Sequence, residues 1–254
     1  MLTLTGLLHI PLIQPGDDLP GLLMDALAMN DITLADGDIL VLTQKIVSKA
    51  EGRLVALHQV TPSREACELA KEVEKDPRFV ELVLRESNQV LRTRPGTLIV
   101  EHRLGFVCAN AGIDHSNVEG QSEDPEEWFL LLPENPDRSA AQIRHRLEEN
   151  SGRRIGVLII DSHGRAWRMG VVGTSIGFSG IPGLVDMRGK PDLFGYQLRI
   201  TEIAAADELA AAASLVMGQA AERIPAVHVR GFPYPLREGE LKELIRPKDR
   251  DLFR

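Results

Sequence analysis

The sequence predicts a mixed α+β fold, on three observations. Short apolar runs such as "ILVL" at 39–42 and "IGVLII" at 155–160 have the length and composition of buried strands. Stretches with apolar residues at helical spacing lie between such runs, but strand and helix alternate irregularly. Some strand candidates adjoin each other across glycine turns, as hairpins do, which argues against a regular doubly wound sheet.

The elements follow in chain order. "LTLTGLLHIPLI" at 2–13 reads as a strand interrupted by a turn. "PGDDLPGLLMDALAMN" reads as a helix capped by Asp17 or Asp18, with Leu19, Leu22, Leu23, Ala26 and Leu27 as its apolar stripe. Asp36-Gly37 is a turn signal before the strand "ILVL", which ends in the polar residues Thr43, Gln44, Lys45, Ser48 and Lys49. Thr61 as cap and Pro62 at the first helical position open a helix in "TPSREACELAKEVEK". "PRFVELVLRESNQVLR" reads as a second helix, and "TLIVEHRLGFVCANAGI" as a strand pair turning near Arg103-Leu104-Gly105. The acidic, proline-containing stretch at 119–140 reads as a long loop, with 120–137 as a candidate lid, leading into the helix "SAAQIRHRLEEN". "RIGVLIIDSHGR" is the clearest strand. The end of the chain gives a strand, an alanine-rich helix, a final strand and a charged tail expected to be helical or frayed.

The composition narrows the function classes. A chain of 254 residues can bury a substantial core in one large domain or two small ones. With 37 acidic against 29 basic residues its formal net charge is −8, which disfavours wrapping nucleic acid. Net charge leaves room for one basic cleft that binds a small anion. Two cysteines, Cys67 and Cys108, make no disulfide framework and lack Cys-x-x-Cys spacing, so a reducing compartment is the default. No run approaches the roughly 20 apolar residues of a membrane span. The N-terminus lacks a basic leader pattern, so a cytoplasmic protein without membrane contact is expected.

Four stretches could carry chemistry. In "FVCANAGIDHSNVEG", Asp114, Asn117 and Glu119 are oxygen donors suited to a hard divalent cation, although Asp-x-Ser-Asn also makes a good turn or cap. In "IIDSHGR", Asp161 ends a buried strand, where ligands of α/β proteins collect. Ser162 could add a hydroxyl there, and Arg165 and Arg168 could hold phosphate; the alternative is Asp161 capping a turn with His163 exposed. Lys45 and Lys49, four residues apart, could meet phosphates or form a solvated basic surface. The glycine-rich "GVVGTSIGFSGIPG" matches neither common phosphate loop, which favours close backbone packing. His115, His163 and His228 lack metal-ligand spacing.

Taken in order, "IPLI", "DGDILVLTQKIVSKAEGR", "VCANAGIDHSNV", "LIIDSHGR", "RMGVVGTSIGFSG", "GKPDLFGYQL" and "IPAVHVRG" resemble the coenzyme F420-0:L-glutamate ligase (F420 γ-glutamyl ligase) family over most of the chain. The resemblance implies one ligase domain over 1–254 with an unusual, two-lobed α+β fold. It also implies an intertwined homodimer with its groove at the dimer interface. It implies a GTP-dependent enzyme that joins L-glutamate to coenzyme F420-0 with Mg²⁺ or Mn²⁺, one ion or two; K⁺ is a further candidate ion. It places metal ligands at Asp114, Asp161, Ser162 and Gln219. It places GTP contacts at Ile10, Pro11, Leu12, Ile13, Gln44, Lys45, Lys49 and Asn117, and at Met217, Gly218, Gln219, Ala220, Ala221, Glu222, Arg223 and Ile224. Arg165 and Arg168 are candidate phosphate-charge groups for the catalysis, and His115 or Glu119 candidate bases for the glutamate amine. Two positions depart from the family pattern: Gln219 stands where relatives often carry Glu, and Ser162 where Thr is more familiar. A nucleotide- and metal-dependent ligase for another small acid, or a non-catalytic dimer that binds nucleotide or deazaflavin, are the alternatives.

Overall fold

A computed structural model describes residues 1–118 and 128–252. Glu119 and the first part of the candidate lid lie outside the described residues. In chain order the strands are β1 (Thr3–Gly6), β2 (Ile39–Thr43), β3 (Leu54–Ala56), β4 (Ser87–Arg94), β5 (Thr97–His102), β6 (Val107–Ala109), β7 (Trp128–Leu130), β8 (Gly156–Arg165), β9 (Arg168–Ser179), β10 (Val185–Asp186), β11 (Glu202–Ile203) and β12 (Ala226–Arg230). The helices are α1 (Leu19–Met29), α2 (Gln44–Ala50), α3 (Arg64–Val73), α4 (Pro77–Arg85), α5 (Pro136–Ser151) and α6 (Ala205–Met217).

The main sheet has five strands in the order β1-β12-β2-β8-β9. β2 pairs with β8 in parallel, and the other three pairings are antiparallel. Both central strands are apolar on each face, so alternate residues enter two cores. Leu40, Leu42, Val157 and Ile159 pack with Leu23, Leu27, Ile143 and Leu147 of α1 and α5. Ile39, Val41, Leu158 and Ile160 pack with Leu209, Ala210, Ala213 and Met217 of α6. Each such Leu or Ile, fully buried, stabilises the fold by about 1.5–3 kcal/mol. A third core gathers α3, α4 and the β4-β5-β6 sheet around Val80, Val83, Leu98 and Val100.

Several boundaries differ from the sequence reading. The third helix is capped by Ser63, whose hydroxyl accepts from Ala66 N at 3.2 Å, so Thr61 and Pro62 precede it. The fourth stops at Arg85; Ser87–Arg94 is a strand because Val90 and its neighbours find a ladder partner in β5. Asp18 takes the cap position of the first helix without a side-chain capping bond, and the Asp17 carboxylate instead accepts from Gln14 N. The stretch read as a continuous loop contains β7, paired with β3, and α5 begins at Pro136 under an Asn135 cap. The polar end of β2 folds directly into α2. In the charged tail, short 3₁₀ turns at Leu241–Glu243 and Lys248–Arg250 replace a helix.

The glycine-rich run is β9, and its glycines admit neighbouring backbone. A Cβ on Gly177 would lie 2.3 Å from Pro136, and one on Gly173 would lie 2.6 Å from the Ala210 carbonyl oxygen. The N-terminus of α5 and the body of α6 therefore rest directly on this strand.

At the edge of the sheet where β2 begins, buried Asp38 clamps β12. It accepts from His228 Nε2 at 2.9 Å, from Arg230 Nε and Nη2 at 2.8 and 2.7 Å, and from Ala35 N at 2.8 Å. Burial alone would raise its pKa; the bonds from Arg230 and His228 outweigh that and hold it below the usual carboxylate value. Asp38→Asn is expected to cost roughly 2–4 kcal/mol, below the full cost of breaking a buried pair because Arg230 is half-exposed. A carboxylate whose folded pKa is depressed stabilises above its unfolded value and loses that effect as the pH falls through the folded one. The difference from the parent should therefore hold between pH 5 and 7 and shrink below about pH 3.8 in urea titrations.

Candidate active site

The parallel pairing of β2 with β8 sends both carboxyl ends to the same edge of the sheet. β12 runs against them, so the 218–225 segment before it starts from that edge, and the 7–13 segment leaves β1 there too. These segments enclose a cavity of about 810 Å³, within the size range of small-ligand sites. A fourth wall is the 110–118 segment, whose Asp114 is fixed by paired backbone bonds with Leu130 of β7 at 3.0 and 2.8 Å. That segment begins with three successive left-handed residues, Asn110 (φ 50°), Ala111 (φ 54°) and Gly112 (φ 64°), and contains a fourth, Asn117 (φ 57°).

Strand alternation divides the candidate ligands of β8. Asp161 has the parity of Ile159, on the face of α1 and α5. Ser162 has the parity of Ile160, on the face of α6. Ser162 Oγ lies 2.9 Å from Gln219 Oε1, just beyond the end of α6. That spacing also suits two neighbouring ligands of an octahedral Mg²⁺ shell, about 2.9 Å apart for bonds of roughly 2.05 Å. Asp161 Oδ2 is 3.0 Å from His163 Nε2, two residues along the same strand face.

Asp114 Oδ2 accepts from Gln44 Nε2 at 2.6 Å and lies 3.3 Å from Lys45 Nζ. Lys45 also reaches the Ser116 carbonyl and hydroxyl at 2.9 and 3.1 Å, and Lys49 Nζ reaches the Asn117 carbonyl at 2.9 Å. The two lysines, one turn apart on α2, thus hold the Asp114 segment in place. Asn117 Nδ2 donates to the Ala220 carbonyl at 3.1 Å, joining that segment to the one after α6. Burial, and then the charge of Asp161, raise the pKa of Asp114 against the pull of Lys45. A carboxylate whose charge is opposed by burial and by a second carboxylate nearby, as Asp114 is, suits an added cation. Among the described residues no group of three or more His, Cys, Asp or Glu side chains is assembled for a metal. The donors fall into a carboxylate pair and a hydroxyl–amide pair, oxygen ligands of the kind that fits a hard cation completing its shell with water or phosphate oxygens.

Every residue expected to contact the nucleotide, from Ile10–Ile13 through Gln44, Lys45, Lys49 and Asn117 to the 217–224 segment, lines this one cavity, as do Asp114, Asp161 and Ser162. Arg165 and Arg168 do not: they pair with each other at the exposed tip of the β8–β9 hairpin. His115 is exposed, outside the cavity lining, with its ring 5.0 Å from that of Phe129. Sequence reasoning passed over His163, which lines the cavity and is nearly buried rather than exposed. The i, i+2 spacing from Asp161 was the signal. Burial pushes the Cys108 thiol up to about 12, which removes it as a nucleophile. No helix among the described residues is long and apolar enough to cross a membrane.

The F420-0:Gamma-glutamyl ligase family matches residues 7–231. A protein of Methanothermobacter thermautotrophicus named coenzyme F420:L-glutamate ligase is 46% identical over 255 residues, covering 100% of this chain and 99% of its own. Proteins with the same name from Methanocaldococcus jannaschii and Methanopyrus kandleri are 43% and 46% identical, covering 97% and 95% of this chain and 95% and 93% of their own. The chain belongs to the F420-0:Gamma-glutamyl ligase family.

A carboxyl whose folded pKa is raised weakens the fold as the pH climbs past its unfolded value. In EDTA at pH 7, Asp114→Asn is therefore expected to melt no lower than the parent, and about 2–4 °C higher for each kcal/mol of repulsion relieved. The gain should vanish below about pH 4, where the parent carboxyl is protonated in both states. Calorimetry at the two pH values checks this.

Proposed function

We propose that this family member is a GTP-dependent ligase that joins L-glutamate to coenzyme F420-0 through an acyl phosphate, releasing GDP and phosphate. The observation that carries the proposal is the meeting of Asp114, Asp161, Lys45 and Lys49 around one cavity in a chain of this family.

The acceptor carboxylate is ionised near pH 7, since such groups titrate near pH 4, so its attack on the γ-phosphorus needs no base. The obstacle is repulsion between two anions. Mg²⁺ or Mn²⁺ held by Asp114 and Asp161, with Ser162 and Gln219 as a weaker neutral pair, would supply the charge neutralisation. Lys45 and Lys49 add positive charge on the α2 side. The 217–224 segment and Ile10–Ile13 form the walls against which a nucleoside packs, and Asn117 orients one wall against another. Enclosure by these walls limits water, which would otherwise hydrolyse the acyl phosphate before the glutamate amine attacks it.

We further propose that the enzyme works as a two-lobed homodimer. Supporting this, one chain exposes Trp167 and Met169 on the β8–β9 tip and Leu193, Phe194 and Ile200 on the segment between β10 and β11, each at least 87% exposed. Large apolar side chains exposed to this degree call for a cover. In this reading Arg165 and Arg168 serve a site only by way of a second copy.

The test incubates purified protein with GTP, Mn²⁺, L-glutamate and F420-0 and follows product mass. Gain of glutamyl units with GDP release is the expected result. GDP release without a glutamyl product would point to another acceptor, and GTP binding without turnover to a non-catalytic role. Asp114→Asn and Asp161→Asn should each lower the rate on the order of 10²-fold or more, as loss of a charge-stabilising group does, with unchanged circular dichroism. Gln219→Glu adds a charged ligand to the neutral pair. It should lower the Mn²⁺ concentration needed for half-maximal rate.

A further inference from the structure

Gln44 is 1% exposed, and both ends of its amide are engaged within the protein. Nε2 donates to Asp114 Oδ2 at 2.6 Å, and Oε1 accepts from Ser48 Oγ at 2.8 Å. Ser48 is itself fully buried, one helical turn further along α2 on the same face. A serine inside a helix ordinarily turns its hydroxyl to the carbonyl four residues back. This one bonds instead to the side chain of that residue.

The directions of these bonds are forced in series. An ionised carboxylate only accepts, so Gln44 must present its NH₂ to Asp114. Its carbonyl oxygen then faces Ser48, and the Ser48 hydroxyl must donate. Without that donor, the flipped amide would set its oxygen against the Asp114 carboxylate. Gln44 and Lys45 both address Oδ2, so Oδ1 is the oxygen these two leave uncommitted. We infer that Ser48 is a positioning residue which, through Gln44, sets the orientation of the Asp114 carboxylate for a divalent cation, and that the Gln44 side chain serves this relay rather than contacting the nucleotide.

The inference rests on the cation reading of Asp114 made above, and the test separates the two. Mn²⁺ alone is titrated into the metal-free protein, and free Mn²⁺ is read by electron paramagnetic resonance. Loss of a hydrogen-bond partner behind a metal ligand typically lowers affinity about 10–100-fold. Gln44→Leu is expected in that range. Ser48→Ala, one bond further away, should weaken binding by about three- to tenfold, with a melting temperature close to the parent's. A double-mutant cycle supplies the readout that a merely structural role would not move. If Ser48 acts through Gln44, adding Ser48→Ala to Gln44→Leu changes Mn²⁺ affinity no further. Independent, multiplying losses would overturn the relay, as would parent-like affinity in Ser48→Ala. Should Gln44→Leu fail to fold, Ser48→Ala alone decides: weaker Mn²⁺ binding at unchanged melting supports the inference, and unchanged binding refutes it. A parent that takes up no Mn²⁺ at millimolar concentration would overturn the cation reading together with this inference, whereas binding that is equal in parent and variants overturns the relay alone.

Discussion

The parallel pairing of β2 with β8 is the constraint on which the rest depends. The other three pairings of the main sheet are antiparallel, and an all-antiparallel sheet would have sent these two strand ends in opposite directions. A parallel neighbour requires a long crossover. Here the chain between β2 and β8 contains α2, the whole third core and α5. The insertion that satisfies the topology therefore also delivers Asp114 back to the edge that β2 and β8 share. Position in the sheet, more than any local motif, makes Asp114 and Asp161 neighbours across 47 residues of sequence.

The same sheet separates robustness from reactivity. Its far edge holds a carboxylate, Asp38, whose neighbours all favour its charge. Its near edge holds Asp114, whose surroundings work against its charge. A protein can tolerate an unfavourable carboxylate where ligands arrive because others, buried and well partnered, anchor the framework elsewhere. In the third core, Glu86 takes bonds from Arg53 and Arg103 beside His102. Burial opposes its charge, yet these partners bring its pKa down to about 2.

Much of the fold was legible because the apolar runs were unambiguous. "ILVL" and "IGVLII" have the length and composition typical of buried strands, and the turn near Gly105 joins a strand pair as its sequence suggests. The less legible parts were those where a short polar segment owes its structure to distant partners. "QKIVSKA" becomes a helix because Ile46 and Val47 enter the α1–α5 core while its lysines reach the 114–118 segment. "SNQVLR" becomes a strand because β5 lies beside it. In the site, the carboxylates and the lining segments could be named from their residue types together with the family pattern. The Ser48–Gln44 relay could not, since nothing in "TQKIVSKAEGR" tells which way an amide faces. The arginines of "HGRAWRMG" looked close to Asp161 in sequence, but a hairpin ten or more residues long carries them past the cavity rather than into it.

The left-handed turns of the 110–118 segment have a consequence for how a ligand is met. Residues in that conformation other than glycine are held against their preference, at roughly 1 kcal/mol or more each. Ala111, fully buried, and Asn110, whose side-chain oxygen accepts from Leu98 N, are kept there by packing that exists before any ligand comes. The first turn of this wall is set by the fold itself, so an incoming ligand need not order it to find its partner groups. Binding free energy that a floppier wall would consume is left for discrimination among ligands. The same rigidity means that departing products must leave through whatever else can move.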